Sequence, residues 1–305
     1  MKLIPNKVDF YITNVCNHTC ERCNRFNNYY FSGWQRWSDY EPIYEKWAKL
    51  VKLRAVTIMG GEPLLNPTVN DWINGINRLF GIEVQILTNG TRFKETNGLY
   101  QAMLGAQKDQ NRNHIGVSLH NMDEWPDLQK DIRNFLQNGS GDEIIELSKD
   151  MEPSNRSNNP YYGDFYKFNS DFYFHDKNHV IINVYKSNMF GAAAIKLDGR
   201  SLHNSDPFLA HQTCGFVTFK SYHFIRGKFY KCAPVALLPE YDAQYTLNIN
   251  DEDRQLLHSY RPLTVDNFDQ YHEEFFANLD NVLPQCKFCP ENHDARKIFP
   301  IRKGH

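Results

Sequence analysis

In "KVDFYITNV" (7–15) the apolar residues Val8, Phe10 and Ile12 alternate with Asp9, Tyr11 and Thr13, the period of a strand with two unlike faces. Downstream the period changes. "EPIYEKWAKLVK" (41–52) has helical spacing, and "AVTIMGGEP" (55–63) is a short apolar run closed by Gly60-Gly61, a buried strand entering a turn. "NPTVNDWINGINRLF" (66–80) predicts a helix opening at Asn66 with Pro67 in its first turn. A strand follows in "IEVQILTNG" (82–90), a weaker helix in "KETNGLYQAMLGA" (94–106), a strand in "HIGVSLH" (114–120), and a helix in 123–139 stopped by Gly139. Four strands alternating with helices predict parallel βα units, in an open sheet or a barrel.

From 139 to 178 the pattern dissolves into Asn, Ser, Gly and Tyr, read as a loop-rich insertion with one short helix in "DEIIELSKD" (142–150). "NHVIINVYK" (178–186) restores an apolar strand, and "GAAAIKLDG" (191–199) is a short strand or a connection. The α/β part is expected to end near residue 205. In 216–232, "FVTFKSYHFIRGKFYKC" predicts two strands turning at Arg226-Gly227. Two amphipathic segments follow (251–260 and 264–280, the second with Thr264 as N-cap signal), then "QCKFC" (285–289) in a Pro-bounded loop. The expected domains are 1–205 and 206–305, with no internal repeat.

A chain of 305 residues can bury a large core, and 34 Lys+Arg against 36 Asp+Glu provide no basic field that would recommend nucleic acid or an anionic membrane. No apolar run approaches a membrane span and the first residues lack a leader pattern, so the expected compartment is the cytoplasm. That expectation bears on the cysteines. In a reducing compartment clustered thiols are more often metal ligands than disulfides, and seven of them cannot all pair. They fall into two groups: Cys16, Cys20 and Cys23, directly after the first strand, and Cys214, Cys232, Cys286 and Cys289.

Three thiolates can hold three corners of a metal cluster and leave one iron for a ligand. The C-x3-C-x2-C spacing of Cys16, Cys20 and Cys23, with Gly60-Gly61-Glu62-Pro63 ending the second strand, resembles the radical S-adenosylmethionine (SAM) superfamily. The resemblance extends to "LTNGT" (87–91) and "VSLH" (117–120). It implies a partial (β/α)6 TIM-type barrel, a [4Fe-4S] cluster on the three cysteines, and SAM held near Gly60, Gly61, Glu62, Pro63, Thr88, Asn89 and Ser118. Arg133 is either a partner of the SAM carboxylate or an ordinary helix arginine. Family members carry an aromatic residue before the third cysteine; here it is Arg22, which leaves adenine contact to another aromatic such as Phe26. A second reading of the same loop is a zinc knuckle that borrows His18.

The second group, with Gly227 five residues before Cys232, resembles the Twitch and SPASM extensions of this superfamily, which use a β-hairpin and helix. Four cysteines imply one saturated auxiliary [4Fe-4S] cluster, suited to passing electrons; a structural zinc site is the alternative. The resemblance then implies two clusters, SAM, an external one-electron reductant such as flavodoxin or ferredoxin, and net oxidation of a small polar substrate with the auxiliary cluster accepting an electron. Radical modification of a ribosomal peptide is the runner-up, disfavoured by the absence of a peptide-recognition segment before Lys7. A non-catalytic zinc-stabilised binding module is the third reading. His120, His175 and His179 are candidate proton acceptors, and the aromatic stretches 29–37 and 161–173 candidate roofs of the site.

Overall fold

The alternation of the first strand becomes two environments in a computed structural model that describes residues 2–29, 32–105, 112–148, 170–187, 189–218, 220–292, 296–297 and 301–302. Strand β1 (Lys2–Tyr11) shows one irregularity between Ile4 and Lys7. Beyond it Val8 and Phe10 enter the main hydrophobic core, whereas Lys7 and Asp9 face a cavity on the other side of the sheet. The chain continues through the two-residue strand β2 (His18–Thr19), α1 (Trp37–Leu50), β3 (Val51–Met59), α2 (Val69–Phe80), β4 (Val84–Thr88), α3 (Leu99–Leu104), β5 (His114–Leu119) and α4 (Trp125–Ser140). Then come β6 (Ile145–Ser148), β7 (Phe172–His175), β8 (Ile181–Lys186), β9 (Met189–Phe190), α5 (Pro207–Gln212), α6 (Gly215–Thr218), β10 (Ser221–Ile225) and β11 (Lys228–Tyr230). The last elements are α7 (Ala233–Tyr245), α8 (Asp251–His258), α9 (Phe268–Ala277), β12 (Arg296–Lys297) and β13 (Ile301–Arg302).

The result is a mixed α/β fold built on a parallel-rich sheet. Nine strands run in the order β11-β10-β1-β3-β4-β5-β8-β7-β6, and β10, β1, β3, β4, β5 and β8 are mutually parallel. The sixth parallel strand, β10, comes from the hairpin of the last hundred residues, so strand pairing crosses residue 205. The segment 191–199 supplies no sheet strand, only an isolated bridge from Ile195 to Leu202. Helices α1 and α2 pack Trp37, Tyr44, Trp47 and Trp72 around Phe10 and Phe224. A second core joins Tyr11, Phe26, Ile225 and Phe288 to α7 and α8.

Several boundaries differ from the sequence reading for local reasons. Helix α1 starts at Trp37 and its end passes directly into β3, so Lys52 is strand. Helix α2 starts at Val69 rather than Asn66, because the Asn66 side chain accepts from both the Thr68 N–H and hydroxyl and holds a turn there. Gly139 lies inside α4, where a Cβ would meet the Tyr100 ring at 2.2 Å; Gly141, with φ of 74°, is the terminator. The short helix expected in 142–150 is instead β6, recruited by β7 as an antiparallel partner. Helix α9 begins at Phe268, since Thr264 and Asn267 exchange side-chain bonds with each other's backbone N–H. The hairpin turns at Arg226-Gly227 as expected, both with positive φ. Of the proposed roof segments, 30–31 and 161–169 lie outside the described residues.

Candidate active site

The first cysteine group sits on the loop that leaves β1, and the Gly-Gly pair determines how that loop lies. A Cβ on Gly60 would be 2.4 Å from the Thr13 carbonyl, and one on Gly61 would be 2.1 Å from the Val15 carbonyl and 3.0 Å from Cys16 Cβ. Only glycine lets the end of β3 lie directly on the backbone that carries Cys16. The contact is hydrogen-bonded: Gly61 N–H donates to Thr13 and Glu62 N–H to Val15, both at 2.8 Å. Further along, Cys23 N–H donates to Cys20 and Phe26 N–H to Cys23, so the loop advances in successive turns.

Glu62 ties the turn after β3 to the end of β4. Its fully buried carboxylate accepts from the Thr88 hydroxyl (2.6 Å), the Asn89 N–H (2.8 Å) and the Leu64 N–H (3.0 Å). Burial pushes its pKa up, resisted by these bonds. Asn89 in turn donates to the Asn17 side chain at 2.9 Å, and Asn17 donates to Thr91 at 2.7 Å, bridging the third strand of the motif set to the cysteine loop.

One cavity of about 530 Å³ is lined by Cys16, Cys20 and Cys23, by Gly60, Gly61, Glu62, Thr88, Asn89 and Ser118, and also by Cys214, Cys232, Cys286 and Cys289. Pro63 is buried at the head of a 3-10 turn and does not line it. In the second group, Cys214 follows α5, Cys232 precedes α7, and Cys286 and Cys289 flank a tight turn in which Cys289 N–H donates to Cys286. Burial raises the Cys232 and Cys289 thiols, and the neighbouring thiols of the group raise them further. Thiols that disfavour each other's ionisation need a cation to become thiolates together, which a bound metal supplies. Soft donors in threes and fours suit iron–sulfur clusters or zinc, so the donor sets fit the expected clusters.

Hairpin residue Gly227 also has a physical account. At φ of 72° its Cβ would meet Ile43 at 2.8 Å, its carbonyl accepts from Trp47 Nε1 at 2.8 Å, and its N–H donates to the Tyr44 hydroxyl at 3.3 Å. Helix α1 thereby clamps the turn that leads to Cys232.

Other candidates separate. Arg133 pairs with Glu146 and lies against Phe174, away from the cavity. Phe26 is fully buried against Tyr241, whereas Arg22 lines the cavity. His120 lines the cavity, but His175 and His179 stack on each other elsewhere.

A charged cluster on the cavity side of β1 and β10 went unread in the sequence. Asp9 is buried; its Oδ2 accepts from Ser221 at 2.6 Å and lies 3.5 Å from Arg25 and 3.4 Å from His223 Nε2, while Lys7 is 3.3 Å from Oδ1. Burial would raise the Asp9 carboxyl, but the Lys7 and Arg25 charges and the Ser221 hydroxyl outweigh it and hold the carboxyl below its ordinary range. Thr57, Gln85 and His114 continue this buried polar row in register across the sheet. The signal was present in 7–15: a parallel strand is covered on both faces, so the polar half of its alternation must face something polar.

Residues 10–151 match the family model described as "Radical SAM superfamily". No curated protein matches. Among solved structures the chain is similar to Streptococcus suis SuiB bound to S-adenosylmethionine (21% identity, 44% of this chain and 32% of that chain, TM-score 0.35). It is also similar to SuiB bound to precursor peptide SuiA (22%, 44% and 30%, 0.35) and to BtrN in complex with AdoMet and 2-DOIA (20%, 39% and 48%, 0.29). The matches thus span about a third of the SuiB chain and half of the BtrN chain. The family match covers 142 of the 305 residues, a little under half of the chain, and takes in the first cysteine group and the Gly60-Gly61 turn. No described helix is long and apolar enough to cross a membrane.

Proposed function

We propose that the chain is a radical SAM oxidoreductase acting on a small polar substrate. Cys16, Cys20 and Cys23 hold one [4Fe-4S] cluster, and Gly60, Gly61, Glu62, Thr88, Asn89 and Ser118 form the SAM neighbourhood, with Pro63 behind the turn rather than on the cavity wall. Cys214, Cys232, Cys286 and Cys289 hold an auxiliary cluster in a Twitch-like region after residue 205. The observation that carries the reading is the single cavity lined by both cysteine groups. When bound, cluster and SAM supply reductive cleavage to a hydrogen-abstracting carbon radical, and an all-cysteine auxiliary cluster supplies an electron acceptor.

The protein's own part is positioning and exclusion of water. Glu62 is spent on bracing Thr88 and Asn89, which leaves the backbone of the Gly60-Gly61 turn and the side chain of Ser118 to meet a ligand. The Asp9, Lys7 and Arg25 cluster supplies acceptors and donors on the cavity wall, which suits a hydroxylated substrate better than an apolar one. Asp9, held ionised, can accept a hydrogen bond from a substrate hydroxyl and so help orient it. An external one-electron reductant such as flavodoxin or ferredoxin completes the scheme.

Anaerobic reconstitution tests it. The expected protein is brown, holds about eight irons, and forms 5′-deoxyadenosine from SAM on reduction. Cys20→Ala abolishes SAM cleavage, whereas Cys286→Ala keeps it and impairs product formation. Robust cleavage by the Cys20 variant, or a colourless protein holding only zinc, overturns the reading.

A further inference from the structure

Among the described residues, one set of three ligand-type side chains converges closely enough for a single metal ion, and it mixes the two ends of the site: His18, Cys20 and His120, with ligand atoms within 4.8 Å of one another. The geometry points to a mononuclear site for a thiophilic divalent cation, zinc or ferrous iron, in the cluster-free protein. It rests on the proposed function only in that its third ligand, Cys20, is then shared with the [4Fe-4S] site.

Three features favour ligation. All three residues line the cavity, so an ion has a route in and an open position facing the cavity. His120 Nδ1 lies 2.6 Å from the Ser187 carbonyl; a carbonyl only accepts, so Nδ1 carries the proton and Nε2 keeps its lone pair, the arrangement that orients metal-bound imidazoles. His18 is presented by β2, whose backbone pairs with β13 through Thr19–Ile301 and His18–Arg302, while its own N–H donates to Cys16 Sγ at 3.4 Å. Tetrahedral zinc places N and S ligands about 3.3–3.6 Å apart, so closure needs side-chain rotations of about an ångström and no rearrangement of strands. Two imidazoles and one thiolate suit zinc, cobalt and ferrous iron.

The consequence is exclusion. A Cys20 thiolate drawn to His18 and His120 is withdrawn from Cys16 and Cys23, so a zinc ion at this site blocks cluster assembly at the first group and leaves the second group able to assemble.

Cobalt(II) titration of the reduced, cluster-free chain decides the matter, with metals counted by equilibrium dialysis and cobalt–thiolate absorption as the local signal. The triad predicts that His120→Asn and His18→Asn each remove one cobalt per chain, or weaken it beyond the roughly 10–100-fold that loss of a mere outer partner costs. Cobalt at the four-cysteine group, retained in both variants, reports an intact fold. If His120→Asn binds as much as wild type while Cys20→Ala does not, the ion is held by the cysteine loop alone and the triad is overturned. In a second arm, zinc-loaded wild type reconstitutes to about four irons and zinc-treated His120→Asn to about eight; full reconstitution of zinc-loaded wild type overturns the exclusion. Should no sample form a cluster, the proposed function fails while the cobalt arm still judges the site.

Discussion

At the scale of single residues, two positions in the Gly-Gly-Glu-Pro turn do work that motif matching does not reveal. Glu62 is a three-way acceptor. Gln at this position offers an amide N–H₂ to groups that are themselves donors, so Glu62→Gln should cost about 1–3 kcal/mol, read as a lowered midpoint in thermal unfolding. Gly61→Ala drives a methyl into the Val15 carbonyl and against Cys16. Its expected signature is selective: iron per reconstituted chain falls from about eight to about four, because the second cysteine group is untouched. His223 offers a pH test. Burial pushes it down to about 3 from an ordinary value near 6.5, against the opposing pull of Asp9. The folded state therefore binds fewer protons than the unfolded one, and His223 withdraws stability as pH falls from 6.5 toward 3. Asp9, depressed below 3.8, acts only beneath that value. Melting midpoints of His223→Gln should fall less steeply than wild type across the higher window; parallel slopes would show that His223 is not the titrating group.

At the scale of elements, the parallel βα units were legible because each strand is short, apolar and bounded by a turn residue; the grouping of the cysteines was also visible in their spacing, and the fold brings both groups to one cavity. What escaped was decided by partners distant in sequence. The 145–148 segment is a strand because β7 pairs with it, which no local period announces. The polar face of 7–15 was visible, but its meaning depended on Arg25, Ser221 and His223 arriving beside Asp9. Arg133 and Phe26 had suitable chemistry and were claimed by Glu146 and Tyr241 instead. The clamp of α1 on the hairpin is likewise a long-range contact: Trp47→Phe removes the indole bond to Gly227 while keeping most of the apolar contact. It should destabilise the chain by about 1–3 kcal/mol, the cost of an unpaired buried carbonyl, measured by urea unfolding.

At the scale of the whole molecule, the expected division at residue 205 crosses strand pairing that runs from Lys7–Ser221 to Tyr11–Ile225. A fragment of residues 1–205 leaves the edge of β1 unpaired and Asp9 without Ser221 and His223. Such an edge is an aggregation template, so the fragment is expected to be insoluble or oligomeric by size-exclusion chromatography, whereas a soluble monomer would establish the two parts as independent.

The same pairing sets a timetable for biosynthesis. The first strand leaves the ribosome more than two hundred residues before its neighbour β10 exists, roughly 10–40 s at ordinary elongation rates. Through that interval one edge of the nascent sheet has no partner of its own chain, and the thiols of the cysteine loop lie open to whatever metal arrives first.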